Sequence, residues 1–164
     1  RSYYEDVLVV RVHPEILEQQ KLPDGGRGRG FWDARFDDIN NFERHLHRNG
    51  TLVVKFFLHI SKGEQRRRFL ARLSDPAKQW KFSDADLDER EHWDAYQEVF
   101  EDCFRSTSTS WAPWWVIPAD HKWVARALVS AILARTIDGL GLKMPAVTRD
   151  GMKRLAAAQR RLAA

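Results

Sequence analysis

Apolar and polar positions run in two different rhythms along this chain. Between positions 32 and 48, Phe36, Ile39, Phe42 and Leu46 recur at three- and four-residue steps. That spacing predicts a helix with one buried face, stopped by Asn49-Gly50. The next stretch, Thr51-Leu52-Val53-Val54-Lys55-Phe56-Phe57-Leu58-His59-Ile60, is almost continuously apolar and β-prone. It predicts a strand covered on both faces. Ser61 then opens a helix as its N-cap, with Glu64 at the capping-box position, running to about residue 73 and broken by Pro76. Ser83 predicts the cap of a further helix, with Asp86 in its first turn and Tyr96, Val99, Phe100 and Cys103 on its buried side. Positions 114–117 read as a second short buried strand. Asp120 begins another helix, on which Val124, Ala127, Leu128, Ala131 and Ile132 form one apolar stripe, ended by Gly139 and Gly141. Positions 152–162 predict a last helix.

The first 30 residues are less regular. Positions 4–12 fit either a short buried helix or a strand. Positions 14–30 are polar, with Pro23 and the run Gly25-Gly26-Arg27-Gly28-Arg29-Gly30, and read as a flexible surface loop. The order helix, strand, helix, helix, strand, helix predicts an α/β layered domain with a mostly parallel sheet. Two strands are few for so many helices, because a usual sheet has about five. The expectation is that further strands precede Arg1, where the sequence starts without a methionine.

Composition narrows the class. The chain has 164 residues, 43% hydrophobic and 30% charged, which suits one globular domain with a real core. No apolar run reaches the ~18 residues of a membrane span. Glu5 and Asp6 ahead of Val7 are not the pattern of a cleaved leader. The single cysteine, Cys103, excludes an internal disulfide and suits a reducing, cytoplasmic setting. His45 and His47 diverge on their helix and the other four histidines are scattered, so packing or solvated roles are expected for all six rather than metal ligation.

Charge is sorted along the chain. Positions 62–81 carry seven basic residues (Lys62, Arg66, Arg67, Arg68, Arg72, Lys78, Lys81) and two acidic ones, whereas positions 84–102 carry nine acidic residues and one arginine. A basic segment beside an acidic helix implies an anionic partner such as a phosphate chain, a nucleotide or nucleic acid.

Several segments together resemble the polyphosphate kinase 2 family. They are Arg1-Ser2-Tyr3-Tyr4, Phe42-Glu43-Arg44, Gly50-Thr51 through His59-Ile60-Ser61, and positions 65–72. They continue with Asp75-Pro76, Trp80-Lys81-Phe82-Ser83, Asp86-Leu87, Trp93-Asp94-Ala95-Tyr96, Thr107, Thr109, Ala112-Pro113-Trp114 and Val116-Ile117-Pro118-Ala119-Asp120-His121-Lys122-Trp123. The match runs in order over roughly positions 1–142. The opening Arg1-Ser2-Tyr3-Tyr4-Glu5-Asp6-Val7-Leu8-Val9-Val10-Arg11-Val12-His13 is similar to the class III variant, associated with phosphorylating both AMP and ADP.

The resemblance implies a P-loop kinase-like three-layer α/β/α fold with a helical lid over about 66–83. The family domain would cover 1–146 and a helical tail 147–164. It implies phosphoryl transfer from inorganic polyphosphate to AMP, ADP or guanine nucleotides, with Mg2+. The family's Walker A loop, G-x-x-x-x-G-K-[ST], has no counterpart here. The glycine run at 25–30 lacks that order, so the loop, the main metal ligands and the sheet's N-terminal strands are expected upstream of Arg1, and this chain alone is expected to be inactive. No metal ligand is expected within it.

Phosphoryl transfer is mostly positioning and charge neutralisation, and a polyphosphate donor needs several cations in a row. Arg68 and Arg72 share a helix face at a spacing of four, and a lid arginine is expected on the transferred group, Arg68 first and Arg72 second, on an exposed mobile face. Arg67, Lys78 and Lys81 would grip the chain. Arg1 matches an active-site arginine and Arg11 a second basic position after it. Pro118, Asp120 and Lys122 follow the last strand, where such kinases often border the adenine. Asp86 and Asp94 are read as solvating their helix or meeting lid cations, and Trp80 and Trp93 as packing anchors. Expected partners are inorganic polyphosphate, AMP, ADP, ATP or guanine nucleotides, and further copies of the chain as a dimer or tetramer; no membrane is expected. A non-catalytic α/β module binding polyphosphate or nucleic acid, and a degenerate paralogue, are the other readings. Stacking on nucleic acid wants exposed aromatics among the basic residues, and only Phe69 and Trp80 fall there, so nucleic acid is not the expected partner.

Overall fold

The computed structural model describes residues 2–22 and 28–163. The chain divides into two compact units, Arg1–Ala127 and Leu128–Ala164.

The first unit opens with a 3-10 turn, Tyr3–Val7, capped by the Ser2 hydroxyl, which accepts the Tyr4 N–H at 3.2 Å. Two short helices follow, α1 (Val9–Val12) and α2 (Pro14–Glu18). The open choice at 4–12 therefore resolves as helix. The expected loop at 14–30 is corrected at its start: Pro14 sits at the first position of α2, where its fixed φ and missing N–H do no harm. Residues 23–27, which hold much of the glycine run, lie outside the described residues.

Helix α3 (Phe31–Arg48) buries Phe36 and Ile39 as expected, but Phe42 is half exposed and Glu43 is fully buried in its stead. Tyr3 explains the exchange. Its ring meets Phe42 edge-on at 5.3 Å, and its hydroxyl reaches inward to Glu43. Strand β1 (Lys55–His59) pairs in parallel with β2 (Trp114–Pro118), from Lys55 opposite Trp114 to His59 opposite Pro118. Between them lie α4 (Lys62–Leu73), a 3-10 turn at Gln79–Lys81, α5 (Ala85–Glu91) and α6 (Trp93–Thr107).

Three expectations about these elements are corrected. Strand β1 is shorter than predicted, and both strands are only partly covered: Leu58 and Val116 are more than half exposed, while Ile117 is buried. Among the described residues the sheet has two strands, so each strand has one ladder edge paired. The acidic segment is two helices that part at His92, and Asp84 rather than Ser83 precedes the first, with no side-chain cap. Trp80 is 78% exposed, not a packing anchor; its indole N–H donates to the Ala77 carbonyl at 3.1 Å.

The core gathers Tyr4, Val7, Phe36, Ile39 and Cys103, with Leu8, Trp32 and Trp114 against it. Phe57 of β1 stacks on Phe100 and Phe104 of α6, with ring centroids 4.4 and 5.0 Å away, so α6 covers one face of the strand. Helix α7 (Lys122–Gly139) begins in this unit. Of its expected stripe, Val124 and Ile132 are half-buried and Ala127, Leu128 and Ala131 are exposed. The second unit holds the rest of α7 and α8 (Arg149–Leu162), capped by the Thr148 hydroxyl, which accepts the Gly151 N–H at 3.1 Å. No described helix is long and apolar enough to cross a membrane.

Candidate functional site

Parallel strands point their carboxyl ends the same way, and the loops leaving them form the usual ligand crevice of an α/β fold. Here those loops are Ile60-Ser61, which enters α4, and Ala119-Asp120, which leads to α7. Their chemistry is interlocked. The Ser61 hydroxyl accepts the Glu64 N–H at 3.0 Å, the first half of a capping box. The second half is taken over by Asp120, whose Oδ1 accepts the Ser61 N–H at 2.7 Å. That bond holds the Asp120 carboxyl below its ordinary pKa.

Glu64 is thereby released toward its own helix. It accepts both prongs of Arg67, at 2.6 and 2.7 Å, and the Arg68 Nε at 2.7 Å. Arg68 continues the chain: its Nη2 donates to the Ala119 carbonyl at 2.7 Å and to that of Asp120 at 3.3 Å. Arg68 is therefore a half-buried tie between α4 and the β2 loop, and the expectation of an exposed, mobile Arg68 is corrected. Arg90 adds a second tie, donating to the Lys62 carbonyl at 2.9 Å and to Gln65 Oε1 at 2.6 Å.

The hydrogen bonds from Arg67, then Arg68, lower Glu64 from 4.5 to about 2. A depressed carboxyl contributes stability that is present above its unfolded pKa and is lost as the pH falls through the folded one. The Glu64 fork is therefore expected to persist at pH 3 and to open near pH 2. A carboxyl 13C titration of Glu64 with a midpoint near 4.5 would show that the fork does not form in solution.

Other expected site residues are placed as follows. Arg72, expected on the same exposed face, is likewise corrected: it is half-buried with its guanidinium 5.6 Å from the Phe69 ring, and no carboxylate among the described residues pairs with it. Lys78 pairs with Asp75 three residues earlier. Lys81 lies 5.0 Å from the exposed Trp80 ring. Pro118 ends β2 and Lys122 begins α7, both exposed. Arg11 stands elsewhere, paired with Asp102 of α6 and 5.3 Å from the Trp32 ring. Arg1 lies outside the described residues. Arg67, Arg68 and Asp120 are thus brought together, and Arg11 shares none of their partners. Asp86 is half-buried and Asp94 is exposed. Among the described residues no three His, Cys, Asp or Glu cluster as a metal site.

The sequence reading missed a buried polar cluster at the other end of the sheet. Lys55 Nζ donates to Glu43 Oε2 at 2.7 Å, to the Tyr4 hydroxyl at 2.8 Å and to the Thr107 carbonyl at 2.8 Å. Glu43 Oε1 accepts the hydroxyls of Tyr4 at 2.8 Å and Tyr3 at 2.9 Å. Burial lowers the Lys55 pKa and raises that of Tyr4. The signal was present: a lysine inside an apolar strand and a glutamate on a helix between buried positions must find each other or water.

Comparison with known proteins adds what geometry cannot. The family model for polyphosphate kinase 2 matches residues 1–144. The chain is 51% identical to an ADP-polyphosphate phosphotransferase of Rhodopseudomonas palustris over 94% of its own length and 54% of that protein. It is 48% identical to an AMP/ADP-polyphosphate phosphotransferase of Meiothermus ruber, over 88% of this chain and 50% of that one. A crystal structure of polyphosphate kinase 2 from Arthrobacter aurescens TC1 superposes with a TM-score of 0.81 and 41% identity, covering 97% of this chain and 53% of that chain. The chain thus spans about half the length of these relatives.

Proposed function

The chain belongs to the polyphosphate kinase 2 family, with its P-loop kinase-like α/β fold, and we propose that the protein carrying it transfers a phosphoryl group from inorganic polyphosphate to ADP and AMP. The observation that carries this reading is the interlocked group at the strand ends, where Arg68 and Asp120 fix the lid helix α4 to the loop after β2. It is supported by relatives named for ADP and for AMP/ADP as acceptors. AMP use, the class III property, and guanine nucleotides belong to the same proposal.

In this reading the lid divides its labour. Arg72 meets the transferred phosphoryl group, because its guanidinium is not spent on a carboxylate. Arg68 positions the lid through Glu64 and Ala119. Arg67, Lys78 and Lys81 hold the polyphosphate chain by exchanging their intrachain partners for phosphate oxygens. The amino end of α4 lies at the strand ends, where helix N–H groups favour anions. Pro118 and Lys122 border the nucleotide base, and the side chain of Asp120 acts through Ser61 rather than on the nucleotide. Arg1 would serve as a further phosphate contact and Arg11 as an anchor behind it. Mg2+ is part of the proposal, but the described residues do not form a cage that fits it. A cytoplasmic homo-oligomer, with the family domain over 1–146 and a tail at 147–164, completes the reading.

The test is a protein of the relatives' length carrying this sequence, supplied with polyphosphate, a divalent cation and ADP or AMP. ATP formed from ADP and ADP formed from AMP are the expected products. Polyphosphate binding without either product would sink the proposal and leave an anion-binding module.

A further inference from the structure

A second basic concavity lies at the opposite pole of the sheet. Helix α3 ends at Arg48, ahead of β1, and Ser110 and Trp111 precede β2, so both segments sit at the strands' amino ends. Between them Arg44, His47, Arg48, Ser110 and Trp111 line a pocket of about 470 Å³. Arg44 lies over the Trp111 ring, 4.7 Å from its centroid. Among the described residues none of Arg44, His47 and Arg48 pairs with a carboxylate. The nearest acid on the helix, Glu43, is spent on Lys55 and two tyrosines.

Cations in the last turn of a helix are ordinarily explained by the carbonyl dipole. That explanation reaches Arg48 but not Arg44, which sits a full turn earlier against an aromatic ring. The terminal carbonyls are also occupied: Asn49, Gly50 and Thr51 donate to those of His45, His47 and Leu46 at 3.2, 3.0 and 3.0 Å. An anion in the pocket would therefore not meet those three carbonyls unpaired. Trp111 Nε1 is buried without an acceptor, so the loop holds a donor that the fold does not use.

We propose that Arg44, His47 and Arg48, with Ser110 and Trp111, form a second phosphate-binding site that holds a segment of inorganic polyphosphate at the pole opposite the catalytic group. The ligand class rests on the phosphotransferase reading above. The chemistry fits it: planar guanidinium forks and a hydroxyl suit successive phosphates in an open pocket. A long donor held at a distant point stays on the protein between transfers, which raises its effective concentration at the lid.

The test uses the 15N-labelled chain titrated with inorganic polyphosphate at fixed ionic strength. Saturable shifts are expected at the Trp111 indole N–H and the Arg44 and Arg48 Nε–H signals. Arg44→Gln with Arg48→Gln should weaken the binding read there roughly tenfold per arginine and leave the shifts of residues 61–72 unchanged. If the pair of substitutions unfolds the chain, Arg48→Gln alone, on an exposed side chain, decides. Polyaspartate of equal charge should bind at least about tenfold more weakly, because it lacks tetrahedral phosphate; equal binding would overturn the phosphate assignment. Shifts confined to residues 61–72 overturn the distal site and keep the strand-end reading. Shifts at the distal residues alone keep this site, since the strand-end reading is tested on a protein of the relatives' length, and shifts at neither overturn the distal site.

Discussion

Glu43→Ala is expected to cost about 3–5 kcal/mol of folding stability, because it leaves the Lys55 ammonium charged and unpaired in the core. The side chains of Glu43 and Lys55 are 0% and 5% exposed. A lone buried charge must either lose its proton or draw in water, and both oppose folding. Glu43 also receives the Tyr3 and Tyr4 hydroxyls, so the substitution strands those donors too. Glu43→Leu combined with Lys55→Met should recover much of the loss, since it removes both charges and keeps the volume; a buried pair is often replaceable while half of one is not. Tyr4→Phe should cost only about 1 kcal/mol or somewhat more, one hydroxyl's share of the network. Urea unfolding of the three variants decides the matter. A loss below about 1 kcal/mol for Glu43→Ala would mean that the cluster is wet and that its charges are solvated.

The same cluster shows where sequence reasoning stops. Helix α3 and α4, both strands' positions and the breaks at Asn49-Gly50 and Pro76 were legible, because local periodicity and caps decide them. The Glu43–Lys55 pair was not, because the partners are twelve residues apart on different elements and meet only when the strand docks against α3. Phe42 misled for the same reason. Helical spacing marks a face, but Tyr3 decides which residue of that face turns inward. At the strand ends the capping motif around Ser61 was readable and its completion was not. Asp120, fifty-nine residues away, supplies the carboxylate that Glu64 was expected to give, and that exchange is what frees Glu64 to hold two arginines. The exposure of Leu58 and Val116 shows a further limit: an apolar run reports what a strand can bury, not what covers it in a given chain.

Arg72→Ala is expected to fold normally and to lose about 10³-fold or more in turnover, the scale on which arginines act on a transferring phosphoryl group. The expectation concerns a protein of the relatives' length, assayed with polyphosphate as the varied substrate. The Arg72 guanidinium lies 5.6 Å from the Phe69 ring and makes no ion pair among the described residues, so its removal should cost stability of ~0.5 kcal/mol or less. Nothing beside it replaces the charge, since Arg68 is held by Glu64 and the Ala119 carbonyl and Arg67 is given over to the polyphosphate chain. Lysine at position 72 should restore little, because an ammonium lacks the planar fork that meets two phosphate oxygens at once. Arg68→Ala should behave differently. It breaks charge-assisted bonds to Glu64 and to the Ala119 carbonyl, so a stability loss of about 1.5–3 kcal/mol should accompany any loss of rate. Lys78→Ala should raise the KM for polyphosphate, most at low salt and less as salt rises, and spare kcat, because its side chain is exposed and acts as a single screened charge. The deciding comparison is kcat for the Arg72 and Arg68 variants, each measured well below its own unfolding temperature. If Arg72→Ala keeps near-normal kcat while Arg68→Ala, still folded, loses it, the transferred group meets Arg68 and the division of labour along the lid is reversed. If both keep it, the basic face of α4 is solvated surface and the lid assignment falls.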